Sequence, residues 1–575
     1  MKYTIKNQHF WLLFALCSLT LIPFLGLPQF YEDGEAKEAV VSYSMLVDDD
    51  WTLPRNNGGD ISYRPPFFHW CVAIVSIIRG DMTEGATRIP SAVALIAMTL
   101  WMFGFLSRRK GVMTGLLASL IAFTTYELHS AAINCWVDMM LTATMVMSIY
   151  LFYRWYEQDM QDHGTFVLTA LAMGAATLTK GPVGTLLPSL IMGIFILLRG
   201  ERTIKSLAWL VLAALLSFVP YALWFYAAWL EGGQDFLDVV YNENIGRMTG
   251  TTDYGMYIHP WYYNVLSLVK GFMPWTLMLL LSLTALHYKK PTISLKVWWR
   301  QLTAWLRGGD SLELLSLTAI VVTIVFYCIP FTKRGVYLMP AYPFIAYFIA
   351  KYIIWMAANA RKVMKLYGAT LSVLSIVLFV AFLLLKTSFA SDMLDGQDMS
   401  SENVLTLIAL SRVGLWWQWV LILTPTMFGL YWWIRHKEDD MHNVYAVLFL
   451  TFGLHIAFDG VYMPIRKNVL SVRTTSILIN HAAPAAEGIM YEYKNEETVG
   501  DGSPKHFYEV NFYLRNRIRN FRREQPASGF LLISRADAEQ SLKAFQKEGY
   551  QFSLHFDPKK RDMLVYKFSK SGGQQ

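Results

Sequence analysis

Apolar runs of about twenty residues alternate with short polar stretches over most of the chain, and every second polar stretch is rich in lysine and arginine. A membrane helix needs roughly twenty apolar residues, and cytoplasmic loops carry the excess of Lys and Arg. Together the two rules predict about thirteen spans, with the N-terminus inside and the C-terminus outside. They are Phe10–Leu27, Ile89–Leu106, Met113–Tyr126, Met139–Tyr153, Phe166–Leu178, Val183–Leu198, Leu207–Leu230, Trp261–Leu286, Leu312–Phe331, Val336–Met356, Leu366–Leu385, Trp416–Ile434 and Val444–Val461. Basic clusters such as Arg108-Arg109-Lys110, Arg199 to Lys205 and Arg361 to Lys365 mark the inner side. Phe67–Ile78 is apolar but too short to span, and counting it would place Arg108-Arg109-Lys110 outside; it reads as a helix lying in the outer interface. Trp298–Arg307 reads as its inner counterpart.

The pattern changes after Pro464. Short alternating runs predict strands at Ser476–Ile479, Ile489–Tyr493, Phe530–Ile533, Phe552–His555 and Met563–Phe568, and amphipathic helices at Tyr508–Phe521 and Ala536–Glu548. The expected architecture is an all-α polytopic membrane domain over residues 1–464, its first outer loop being 28–88, and a small α/β domain over 465–575 on the outer face.

Composition agrees with that pattern. Hydrophobic residues make up 54% of the 575 and charged residues 16%, too little charge for a soluble enzyme of this length. The formal charge of +7 follows from basic inner loops and is no argument for nucleic acid. The four cysteines (Cys17, Cys71, Cys135, Cys328) form no CxxC pair, so neither a zinc knuckle nor a disulfide framework is expected. The basic and apolar N-terminus lacks a small-residue cleavage site, which makes it a retained first helix. GxxxxGK[ST], GxGxxG and HExxH are absent, so ATP-driven pumping and zinc proteolysis lack support.

The candidate chemistry lies in the outer loops. The first carries Asp33 and Glu35 just after the first span, then Arg64-Pro65-Pro66 at the start of the interfacial helix. A guanidinium at a helix N-terminus suits a phosphate, as it suits a snorkelling interfacial side chain. The second holds His129, Asn134 and Asp138, the last equally placed to be an N-cap. The others offer Lys180-Gly181-Pro182, then Glu243-Asn244-Ile245-Gly246-Arg247 with His259, then Lys333-Arg334. Acids and cations from five distant loops thus fall on one face, as an anionic substrate at the outer leaflet requires.

These motifs in this order resemble the ArnT/protein-mannosyltransferase group of GT-C glycosyltransferases. The resemblance rests on Asp33-Gly34-Glu35-Ala36-Lys37, Arg64-Pro65-Pro66-Phe67-Phe68-His69-Trp70, Thr83-Glu84 through Arg88-Ile89-Pro90, Asp138, Thr179-Lys180-Gly181-Pro182, Glu243 to Arg247, and Lys333-Arg334 through Pro340. It covers roughly residues 10–345, and thirteen spans with a small outer domain are also what the ArnT branch has. Two positions depart from the family: Arg64 stands for a lysine, and the first-loop acids read Asp33-Gly34-Glu35 instead of adjacent Asp-Glu.

The resemblance implies an inverting transferase that moves a sugar from a polyprenyl phosphate to lipid A, another glycolipid or a protein, in a bacterial inner membrane with the C-terminal domain periplasmic. It assigns Asp33 or Glu35 as base, with Asp33 favoured, and Asp138 as an orienting acid. Arg64, Lys180 and Arg247 would hold the donor phosphate, with Glu243, His259, Lys333 and Arg334 as further substrate contacts. No metal cluster is legible; a divalent ion is allowed but not predicted. The rival readings are a transporter or flippase of a lipid-linked glycan, which needs polar residues through the helix middles, and a non-catalytic membrane scaffold.

Overall fold

The computed structural model describes residues 7–31, 33–246, 249, 258–260, 262–284, 294–387, 401–437, 440–494, 506–559 and 561–571. The chain divides into two compact units: 1–28 with 88–223 and 258–469, and 29–87 with 224–257 and 470–575.

The first unit is helical. Among the described residues, seven helices are long and apolar enough to cross a membrane, and ten spans result if each of three bent helix pairs is one. The apolar stretches near Met113, Phe166 and Val183 are also helices, Val112–Phe123, His163–Lys180 and Val183–Arg199. Contiguous apolar side chains remain exposed along two of the long helices, for example Leu212, Leu215 and Val219, or Val373, Val377 and Leu384. Faces of this kind belong against lipid. The protein is a multi-pass membrane protein.

Inside the unit the backbone satisfies itself and small polar groups tie helices together. Thr177 and Thr185 share a hydroxyl hydrogen bond of 2.6 Å, and Thr185 shares another of 2.8 Å with Ser217. Arg88, fully buried, donates to the Leu25 and Pro28 carbonyls and so closes the end of the first span. Gly184 permits the hairpin between His163–Lys180 and Val183–Arg199: a Cβ there would lie 2.3 Å from the backbone of Ala176 and Thr177. Gly181, at φ +87°, makes the turn itself.

One expected straight element is broken. Trp261–Leu286 contains two helices, Tyr263–Gly271 and Trp275–Ser282, bent by 104°; Pro274 denies the ladder a donor and restricts the residue before it. The spans at Met139 and Trp416 are each preceded by a short helix, Tyr126–Ala132 and Glu402–Ser411, at 116° and 105°.

The second unit contains the helices Asp33–Val47 and Phe67–Arg79, a hairpin of β1 (Arg55–Asn56) and β2 (Asp60–Ile61), and an α/β layer. The layer is a five-stranded mixed sheet of β3 (Met490–Tyr493), β4 (Ile518–Asn520), β5 (Ser528–Ile533), β6 (Tyr550–Phe556) and β7 (Leu564–Lys570), in the order β4-β3-β5-β7-β6. β3 is parallel to β4 and β5; β7 is antiparallel to β5 and β6. Strand alternation divides its core. Met490, Phe530, Leu532 and Val565 meet Ile479 and Val510 on one face, while Tyr491, Leu531, Ile533 and Phe568 meet Leu542 and Phe545 of the helix Arg535–Lys547 on the other.

Two expectations for this layer are corrected. Ser476–Ile479 is not a strand but part of the helix Arg473–Ala482, whose buried residues Ser476 and Ile479 lie three apart. Tyr508–Phe521 is not one helix: it stops at Tyr513, passes through left-handed Arg515 and Asn516, and continues as β4. The side chain of Asn511 compels the break, its Nδ2 donating to Asn516 Oδ1 and its Oδ1 accepting from the Ile518 N–H, each at 2.9 Å.

Candidate functional site

In the second unit, the first-loop acids begin the helix Asp33–Val47. Asp33 is its first residue, and its side chain lies outside the described residues. Glu35 is 1% exposed. The charge network converges on Glu38, one turn further along. The Arg64 guanidinium pairs with its Oε1, and His69 Nε2 lies 2.8 Å from its Oε2. Pro65 and Pro66 lead into the helix Phe67–Arg79, which carries His69 on its first turn. Arg64 thus turns toward a carboxylate on the neighbouring helix. Burial pushes the Glu38 carboxyl up, but Arg64 and His69 outweigh it and hold the group at about 2.

Lys37 stands on the adjacent turn, its ammonium 5.8 Å from the Tyr63 ring centre and 5.9 Å from that of Tyr508. Burial and the Arg64 charge lower its pKa, opposed by Glu38, Glu243 and Asp60. Glu243, in the π-helical turn Asn242–Gly246, therefore acts on the same group. Arg247 lies outside the described residues.

The remaining loop motifs of this unit are structural. Gly58 and Gly59 press on Arg519 and Asn520, where a Cβ would lie 2.6 and 2.9 Å away, and buried Asn57 donates to Glu492 at 2.8 Å. Glu84 accepts from Tyr513 at 3.0 Å and from Arg473 at 3.4 Å.

In the first unit, Asp138 sits in the first turn of Val137–Glu157, after the N-cap residue Trp136. Its Oδ1 pairs with Lys180 Nζ. Lys180 ends the helix His163–Lys180, where a cation is favoured, and lies 4.6 Å from the Tyr337 ring centre. Tyr337 belongs to the 3₁₀ segment Gly335–Ala341. Just before it comes Lys333, 9% exposed, whose ammonium donates to the Pro330 carbonyl at 3.1 Å. No carboxylate lies within ion-pair distance of it among the described residues. His259 stacks on Tyr263 with ring centres 3.9 Å apart. Arg334 has interaction partners in the structure.

The structure thus brings Asp138 to Lys180 and sets Lys333 and Arg334 beside Tyr337. In the second unit it gathers Arg64 with Glu38, His69 and Lys37. Sequence reasoning missed Glu38, Lys37 and His69 as partners, and missed Glu127, whose Oε1 faces Gly335 closely enough to lie 3.4 Å from a Cβ built there. For Glu38 a signal existed: it follows Glu35 by three residues, the spacing of one helix face. For Glu127 there was none. Chemically, one unit offers the Lys180 and Lys333 ammonium groups, suited to an anion, and the other a buried cluster of Glu38 with Arg64 and His69 beside Glu35.

Residues 63–224 match the family described as dolichyl-phosphate-mannose-protein mannosyltransferase. The chain is 22% identical over 411 residues to an undecaprenyl phosphate-alpha-4-amino-4-deoxy-L-arabinose arabinosyl transferase of Pseudomonas fluorescens, covering 70% of this chain and 67% of that one. It is 23% identical over 560 residues to a second transferase of that name from Proteus mirabilis, covering 92% and 90%. The crystal structure of ArnT from Cupriavidus metallidurans bound to undecaprenyl phosphate superposes over 99% of this chain and 100% of that one, with a TM-score of 0.70 at 16% identity. Matched segment, relatives and shared fold agree: the chain is a membrane glycosyltransferase similar to the ArnT and protein-mannosyltransferase groups.

Proposed function

We propose that this enzyme takes an undecaprenyl-phosphate-linked sugar, the donor class for which its relatives are named, and transfers it with inversion to a glycolipid or protein at the periplasmic leaflet of a bacterial inner membrane. The observation that carries the reading is Lys333. A lysine 9% exposed, bonded to one backbone carbonyl and with no carboxylate partner among the described residues, is a costly group unless an anion completes it. A lipid phosphate supplies that anion.

The reaction is a single displacement. The acceptor oxygen attacks the anomeric carbon, the bond from that carbon to the phosphate oxygen breaks, and the polyprenyl phosphate leaves with the electron pair. Lys180 and Lys333, with Arg334 and His259, neutralise the leaving phosphate. Asp138 holds Lys180 in place through its ion pair. Asp33, with Glu35 as the alternative, accepts the acceptor's proton. Arg64, Glu243 and Arg247 take substrate-binding roles from the order of their motifs along the chain. Glu38 fixes Arg64 and is itself too acidic to serve as the base.

The test is transfer in reconstituted vesicles, with mass spectrometry of envelope glycolipids and glycoproteins from cells with and without the gene to name the acceptor. Lys333→Gln and Lys180→Gln should weaken donor use at least about tenfold, the scale of one lost charge-assisted contact of about 1.5–3 kcal/mol. Asp33→Asn should abolish turnover while polyprenyl-phosphate binding persists. Full activity of Lys333→Gln would remove the basis of this reading.

A further inference from the structure

The first unit also holds a buried group that the proposed transfer does not use. His129, His455 and Asp459 each present one ligand atom, and the three atoms lie within 4.8 Å of one another. The histidine rings are 4.2 Å apart between centres. His129 is 3% and Asp459 2% exposed, in a part of the chain otherwise built from apolar helices. Ionisable groups in such surroundings are expensive and call for a partner.

The protein side chains leave that demand unmet. His129 Nε2 and Asp459 Oδ2 face each other at 2.5 Å, yet His129 Nδ1 and Asp459 Oδ1 are buried with no hydrogen-bond partner among the described residues. His455 Nε2 lies 3.0 Å from the Thr124 carbonyl and must donate to it, which leaves its Nδ1 with a lone pair. A carbonyl bonded to the far ring nitrogen is the arrangement that fixes a metal-binding imidazole in its tautomer. His455 and Asp459 are four residues apart at the junction of a helix with the π-helical turn Phe458–Tyr462, so one helix face presents both. All three line a cavity of about 740 Å³, mostly apolar, whose wall also carries Lys467 bonded to Asn134 at 2.6 Å.

We propose that His129, His455 and Asp459 bind a divalent transition-metal ion, with Zn²⁺ as the fitting probe. Two imidazoles and one carboxylate are borderline ligands that suit zinc. Three protein ligands leave a fourth position for water or for an oxygen of a molecule in the cavity. Tetrahedral bonds of about 2.0–2.2 Å set ligand atoms roughly 3.4 Å apart, so wider separations must close and the His129–Asp459 contact must open, each by about 1 Å, within reach of side-chain rotation. The ion would join the short helix Tyr126–Ala132 to the last long apolar helix, 330 residues away in sequence.

The test uses the full chain purified in detergent without a histidine tag, stripped with chelator, exposed to Zn²⁺ and desalted. Metal analysis should find one zinc per chain, and zinc should raise the thermal midpoint of the stripped protein. His129→Gln and Asp459→Asn should each lose at least about tenfold in zinc affinity, the scale of losing a ligand or its support, while eluting as monodisperse protein. Stripped wild type that takes up no zinc and shows no thermal shift overturns the proposal whatever the variants do. Equal zinc uptake by wild type and both variants overturns it as well.

Discussion

At the residue scale, the charged groups of the second unit make its stability depend on pH in two opposite ways. His506 is buried between Glu492, which pairs with its Nδ1, and Asp60, 2.7 Å from its Nε2. Burial lowers its pKa, but the two carboxylates outweigh that and raise it from 6.5 to about 9. A histidine with a raised folded pKa contributes stability that is complete below the unfolded value and lost as pH climbs through the folded one. The pairing of the hairpin with the strand layer should therefore be firm below about 6.5 and weaken toward about 9, by on the order of 3 kcal/mol. Hydrogen exchange of residues 55–61 across that range is the measurement, and His506→Gln should flatten the dependence. Glu38 acts in the other sense: its depressed carboxyl stabilises above about 4.5, and that contribution fades as pH falls toward about 2. His506 does not announce its role in the sequence, because the carboxylates that define it lie 14 and 446 positions away.

At the element scale, apolar runs identified helices well and their interruptions poorly. The span at Trp261 is a bent pair, because hydropathy averages over a break that leaves composition unchanged, whereas the spans at Met139 and Trp416 are continuous helices. The error at Ser476–Ile479 has the same origin: a four-residue apolar run carries too few positions to separate a period of two from one of 3.6. The turn at Lys180-Gly181-Pro182 is the counterexample. Here the motif read as chemistry is also architecture, since Gly181 turns the chain and Gly184 lets the two helices touch. Gly184→Leu should lower the thermal midpoint in detergent, at a cost of about 1–3 kcal/mol or more, because backbone atoms 2.3 Å from the new Cβ have nowhere to go. Gly104→Ala, with open space at the same test position, should leave the midpoint unchanged.

At the scale of the whole molecule, the C-terminal layer does not stand apart from the first loop: residues 29–87 and 470–575 share one compact unit. Phe30 packs on Phe512 with ring centres 4.6 Å apart, Arg519 pairs with Asp48 at 2.9 Å, and Asn57 reaches Glu492. A chain ending at residue 470 should therefore expose residues 48–62 to limited proteolysis, even in membranes where the helical unit persists; wild type should resist. The sequence by itself determined what depends on composition and short-range order. A membrane must meet apolar helices, so polytopic architecture follows from hydropathy, and the ordered loop motifs were enough to name the enzyme class. Only the tertiary structure decided which charge meets which. It paired Arg64 with Glu38, gave Asp138 to Lys180, left Lys333 with a lone carbonyl and gathered His129 with His455 and Asp459. The reason is range: hydropathy is a local property of the chain, whereas an ion pair depends on distances of a few ångströms between residues that folding alone brings together.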